Sequence, residues 1–315
     1  MNKVMLLMLL FPGLLPAATL VMHQQVDNTQ RRFSYQLLTA EQQFRFAFSL
    51  QSASIVRNAN LVQRYVPGVL RQQLEQQLQQ QTRQAGPYRV VPGPGQDWLN
   101  FELTHAYPAG SPEAQLAEAQ RLQLLKQLQR LSQQFQQQYL DTTGYQQLSL
   151  PDNRQLIIVD HQKIVEQSLA DIAPLAQALV SQLELSDQRQ LISVLLSWIQ
   201  LIPLHPAEQA EYGASYTPPL QLLRQHQGDS ASKTVLLATL LKIILPKVRQ
   251  AILYLPERTM LALAIPAGPE DLTVSLQNID YLVADPSGPE LIRLGKVAKL
   301  QEVFIRNQFF DFRQF

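Results

Sequence analysis

The sequence predicts an α+β fold with a central buried helix followed by successive strands, and three observations carry that expectation. Residues 230–245 form an almost unbroken apolar run that follows the turn Gly228-Asp229 and stops at Pro246. A helix apolar on most sides belongs inside a domain rather than on its surface. After it, residues 251–255, 260–265, 272–276 and 281–284 read as successive strands, with a turn at Gly268-Pro269-Glu270-Asp271. Ahead of it, Leu191, Val194, Leu195, Trp198, Ile199 and Ile202 recur at helical spacing. They make the best amphipathic helix of the chain, expected to pack on the central one.

Taken in order, the chain opens with Met1-Asn2-Lys3 and a short apolar run, residues 4–11, broken by Pro12-Gly13 and closed by Pro16-Ala17-Ala18. This is the pattern of a secretory signal peptide cleaved after Ala18, and it implies a periplasmic or secreted mature chain. An uncleaved anchor is the competing reading, but the run is too short and broken for a stable spanning helix. Residues 19–110 read as a small N-terminal α+β domain. Phe44, Phe46, Phe48 and Leu50 alternate with Arg45, Ala47 and Ser49, a period-two strand with an aromatic face. Residues 19–26 and 32–38 are strands able to pair with it. A glutamine-rich helix begins at Pro67, with Leu70, Leu74 and Leu78 at helical spacing, and residues 88–91 and 98–104 form a strand pair.

Residues 111–145 read as a long amphipathic helix. Ser111 is the capping residue and Pro112 opens the first turn, and no glycine or proline interrupts the run before Gly144. Its stripe of Leu125, Leu128, Leu131, Phe135 and Tyr139 either folds back on its own domain or serves a partner as a coiled coil. Residues 146–315 form the C-terminal domain: a strand at 155–159, a helix marked by Ile172, Leu175, Ala176 and Leu179, the elements named above, and an aromatic tail ending in Phe312 and Phe315. That tail reads as a strand or extension docked on the core.

The segment Gly228-Asp229-Ser230-Ala231-Ser232-Lys233 resembles the nucleophile turn of the bacterial transglutaminase-like, papain-fold superfamily, written roughly G-D-C-x-x-K before an apolar helix. Flanking stretches extend the resemblance over about residues 150–300. Trp198-Ile199-Gln200-Leu201-Ile202-Pro203 is similar to the family's f-v-Q-x-i-P element, and Tyr216-Thr217-Pro218-Pro219 to its Y-x-x-P approach. Residues 259–266 are similar to its H-x-L-L-A-V strand, and Tyr281-Leu282-Val283-Ala284-Asp285-Pro286-Ser287-Gly288-Pro289 to its Y-x-x-x-D-P-T-G-P. The resemblance implies a papain-like C-terminal domain, a central buried helix packed on an antiparallel sheet, whose triad positions are Ser230, Thr259 and Asp285.

Two of those three positions have lost the family's residues. A cysteine–histidine pair works because the imidazole and the helix N-terminus hold the sulfur as thiolate. A serine hydroxyl ionises far too weakly for the helix alone to activate it, and threonine cannot return a proton at useful pH. The triad reads as dismantled, with only Asp285 surviving. His226, four residues before Ser230, is the one substitute base nearby in sequence, and it reads as a loop histidine. Asp229 and Lys233, on the first turn of the helix, are candidate binding residues; Lys233 is also readable as a solvated or aspartate-paired lysine.

Composition sets the outer bounds. The 315 residues are 46% hydrophobic and only 16% charged, with a net charge of +1, so no basic field points to nucleic acid. The cysteine count of 0 excludes disulfides, cysteine-ligated metals and a thiol nucleophile. The 5 histidines are scattered, with no i, i+4 pair, and no glycine-rich phosphate loop occurs; neither a metal nor another cofactor is expected. The function implied is that of a catalytically inactive transglutaminase-like module binding a protein or peptide of the cell envelope. The alternative is a hydrolase or acyltransferase using Ser230 with an unrecognised base. Loss of nucleophile and base together favours the first, because it leaves no proton path.

Overall fold

A computed structural model describes residues 18–38, 43–94, 97–149, 155–183, 186–205, 216–256 and 258–315. Residues 1–17 of the 1–18 segment read as the signal peptide lie outside them. The chain is α+β with antiparallel sheets, and its contacts divide it into two compact units. One takes in the described residues up to Leu61 and His161–Phe315; the other is Val62–Ser149 with Gln155–Asp160. These units cut the chain at different points from 110 and 145, the boundaries read from the sequence.

In the first unit, β1 (Thr19–Val26), β2 (Gln30–Leu38) and β3 (Gln43–Gln51) form an antiparallel sheet in that order. Alternation places Phe33, Tyr35, Leu37, Phe46, Phe48 and Leu50 on one buried face. The reason this sheet belongs with the C-terminal part of the chain is aromatic packing. Tyr35 and Phe46 meet the fully buried Trp198 edge-on, with ring centroids 5.3 and 5.1 Å away. The short helix α1 (Ser52–Ala59) follows β3. The edge of β3 is closed by Gln182, whose amide exchanges two 2.8 Å hydrogen bonds with the backbone of Ala47.

The second unit holds α2 (Pro67–Ala85), the hairpin β4 (Tyr88–Gly93) and β5 (Asp97–His105), α3 (Pro112–Thr143) and the hairpin β6 (Tyr145–Ser149) with β7 (Gln155–Val159). Ser111 caps α3, its hydroxyl accepting from Ala114 N at 3.1 Å, and Gly144 ends it in the left-handed region. The α3 stripe folds back onto its own unit: Ala117 and Leu128 pack with Leu74, Leu78, Trp98 and Phe101.

The remainder of the first unit carries α4 (His161–Leu183), α5 (Gln188–Gln200), α6 (Pro219–Gln225) and α7 (Ser230–Ile244). Next come β8 (Gln250–Tyr254), β9 (Thr259–Leu263), β10 (Thr273–Leu276), β11 (Ile279–Ala284), α8 (Lys299–Arg306) and β12 (Asp311–Gln314). The five-stranded antiparallel sheet runs β10-β11-β9-β8-β12, so the aromatic tail is its edge strand, Phe312 opposite Leu253. Helix α7 packs on α4, α5, α6 and β9, which is why Val235, Leu236, Leu237, Leu240 and Leu241 are all wholly inaccessible. On the sheet, Leu253, Met260, Tyr281 and Val283 cluster with Ile305 of α8. Among the described residues no helix is long and apolar enough to cross a membrane.

Candidate functional site at the start of helix α7

Asp229 is the N-cap of α7. Its Oδ1 accepts from the backbone N and the hydroxyl of Ser232, both at 2.7 Å. Ser232 Oγ in turn accepts from Thr217 N at 2.7 Å, tying the Tyr216-Thr217-Pro218-Pro219 approach to the first turn. Gly228 is held from the other side, donating to Pro203 O at 3.1 Å and accepting from His205 N at 3.3 Å. A side chain there would strike Leu222, with Cβ only 2.7 Å from Cδ1. Both sides of the turn are thus fixed by segments that the resemblance had singled out.

Ser230, half-buried, is the first residue of α7. Its Oγ accepts from Thr259 N at 3.3 Å, and Thr234 Oγ1 donates to Thr259 O at 2.8 Å. Two hydroxyls of α7 therefore pin the first residue of β9, and the contact between positions 230 and 259 is hydroxyl to backbone. Asp285, at the end of β11, is completely buried. Its Oδ1 accepts from Ser287 N at 3.0 Å, and its Oδ2 from Arg258 Nη1 at 3.1 Å. The counter-charge of this carboxylate is thus the residue just before Thr259.

Below these groups lies a clamp assembled from three distant motifs. Lys233 is buried and donates from Nζ to Ser287 O at 2.6 Å and Gln200 O at 3.3 Å. It is therefore neither solvated nor hydrogen-bonded to a carboxylate. Burial lowers its pKa to about 8, against the opposing pull of Asp285 and Asp229. Gln200 Nε2 donates to Asp285 O at 2.6 Å and Ile292 O at 2.9 Å. Gly288 has φ +62°, and a Cβ there would lie 2.0 Å from Gln200 O, so this close approach requires glycine.

The histidines fall elsewhere. His226 caps the end of α6 in the left-handed region, φ 55°. Its ring lies 5.8 Å from that of Tyr35, and burial followed by the Lys233 charge lowers its pKa. Its Nδ1 has no hydrogen-bond partner among the described residues, so that nitrogen is not bonded to Ser230. No local sequence signal singles out His161, the first residue of α4. It is buried with Nδ1 3.3 Å from Tyr254 Oη; its ring is stacked on that of Tyr254 at 5.6 Å, and the tilted ring of Tyr216 lies 5.1 Å away. Desolvation lowers its pKa to about 4, partly opposed by Asp229. Arg258 was also missed. Its signal is present as the only basic residue of 255–260, directly before the triad position Thr259.

Chemically, the site holds a hydroxyl accepting a backbone N–H, a carboxylate saturated by an arginine and a backbone N–H, and a histidine engaged by tyrosine. Arginine stays protonated at any working pH and cannot serve as a base. Among the described residues, no group of three or more His, Cys, Asp or Glu is placed to hold a metal ion. No family model matches the chain, and no curated protein or solved structure matches it.

Proposed function

We propose that the chain is an exported, catalytically silent transglutaminase-like module. Its papain-like domain holds a protein or peptide of the cell envelope at the start of α7, around Ser230 and Arg258. The observation that carries this reading is the Arg258–Asp285 ion pair. The carboxylate that would orient a base is instead neutralised by a permanent cation, so the Ser230 hydroxyl has no group to receive its proton. The convergence of Gln200, Lys233, Asp285 and Gly288 supports the papain-like part of the reading. These residues come from separate resembling motifs and form one clamp at the same helix start.

The test is exposure of the full chain to a fluorophosphonate, followed by intact-mass measurement beside a Ser230→Ala variant. The expected result is no mass gain in either. Stoichiometric labelling that Ser230→Ala abolishes would establish an activated serine and replace this reading with the hydrolase or acyltransferase alternative.

A further inference from the structure

The groove between α2 and α3 has a composition that the site at the start of α7 does not explain. It encloses about 530 Å³, within the usual size of a ligand cleft. Its apolar lining is Leu124, Leu128, Leu131 and Ala85, while Gln81, Gln84, Gln127, Gln134 and Arg130 supply the polar heads. An adjoining depression of about 390 Å³ shares Gln84 and is lined by Gln76, Gln79, Gln80 and Arg83. No carboxylate lines either. The helical stretches 76–85 and 119–140 carry Arg83, Arg121, Lys126 and Arg130; Glu75 and Glu118 stand just ahead of them, Glu75 accepting from Gln79 Nε2 at 2.9 Å and Glu118 pairing with Arg121.

We infer that this groove binds an extended acidic peptide segment of a partner protein, with Arg83 and Arg130 meeting its carboxylates and the glutamine amides meeting its backbone. Each glutamine offers a donor and an acceptor, the complement of a peptide unit. Exposed arginines recognise carboxylates with two parallel hydrogen bonds. The partly exposed Leu124 and Leu131 receive alternate side chains of a pleated strand. From Leu124 to Gln134 helix α3 rises roughly 15 Å, which an extended chain covers in about five residues. The lining contains no aromatic ring to stack a sugar, so a peptide fits better than a glycan.

The experiment titrates the full chain against a fluorescent synthetic peptide alternating glutamate and valine, and against its lysine–valine counterpart. The acidic peptide is expected to bind with salt-dependent affinity and the basic one not to bind. Arg83→Glu with Arg130→Glu should weaken binding at least about tenfold, whereas Arg32→Glu, an exposed arginine of the other unit, should leave it unchanged. Hydrogen exchange should slow at 76–85 and 124–134 on binding. Failure to bind, equal loss with Arg32→Glu, protection elsewhere, or tighter binding of a polyuronate oligosaccharide would overturn the proposal. None of these results depends on whether Ser230 is silent.

Discussion

If Arg258 is the counter-ion of Asp285, then removing it strands a buried carboxylate. Arg258→Met keeps the aliphatic stem and deletes only the guanidinium. Breaking a fully buried ion pair costs roughly 3–5 kcal/mol. Here the Arg258 side chain is 33% exposed while that of Asp285 is 0% exposed, and Ser287 N still serves Oδ1. The expected loss is therefore about 2 kcal/mol. Asp285→Asn keeps an acceptor for Ser287 and should cost about 1 kcal/mol. In the Asp285→Asn background there is no charge left to strand, so Arg258→Met should then cost under about 0.5 kcal/mol. Urea denaturation of the four proteins measures the cycle. Equal costs of Arg258→Met in both backgrounds would refute the account of Arg258 as the group that neutralises the site.

Two further perturbations probe the same region. Gly288→Ala places a Cβ against Gln200 O at a positive φ and should destabilise by at least about 3 kcal/mol, read as a lowered Tm by circular dichroism. His161, with its pKa lowered to about 4, binds fewer protons folded than unfolded as pH falls below its ordinary value. Its contribution is full above about pH 6.5 and is lost as pH falls through the window down to about 4. Stability should decline over that range by roughly 3 kcal/mol more in the wild type than in His161→Phe. Parallel curves for the two proteins would show that His161 is not held neutral by burial.

Local signals made the elements legible and long-range packing did not. The alternation of Phe44, Phe46, Phe48 and Leu50 and the caps at Ser111 and Gly144 are written within a few residues, and each appears where expected. Helices α1 and α8 run only from Ser52 to Ala59 and from Lys299 to Arg306, too short for a helical period to declare itself. The partition of the chain was hidden for another reason. Tyr35 and Phe46 are buried on Trp198, and nothing local to β2 or β3 names a partner so far along the chain. In the site, Ser230, Thr259 and Asp285 lie in one neighbourhood of the fold, with Ser230 bonded to Thr259 and Asp285 to Arg258. Lys233, read as a candidate binding residue or else as a solvated or aspartate-paired lysine, lies buried on backbone carbonyls. Residue type gave no warning, because a lysine beside serine on a first turn ordinarily reaches water.

The most direct test of a silent site is turnover itself. The full chain, Ser230→Ala, and the double variant Ser230→Cys with Thr259→His would be incubated with a glutamine-containing peptide and a primary amine, and ammonia release followed from pH 5 to 9. The account predicts that the wild type matches Ser230→Ala at every pH. Wild-type release above that of Ser230→Ala would contradict it, because the Ser230 hydroxyl would then have found a base that the fold does not place beside it.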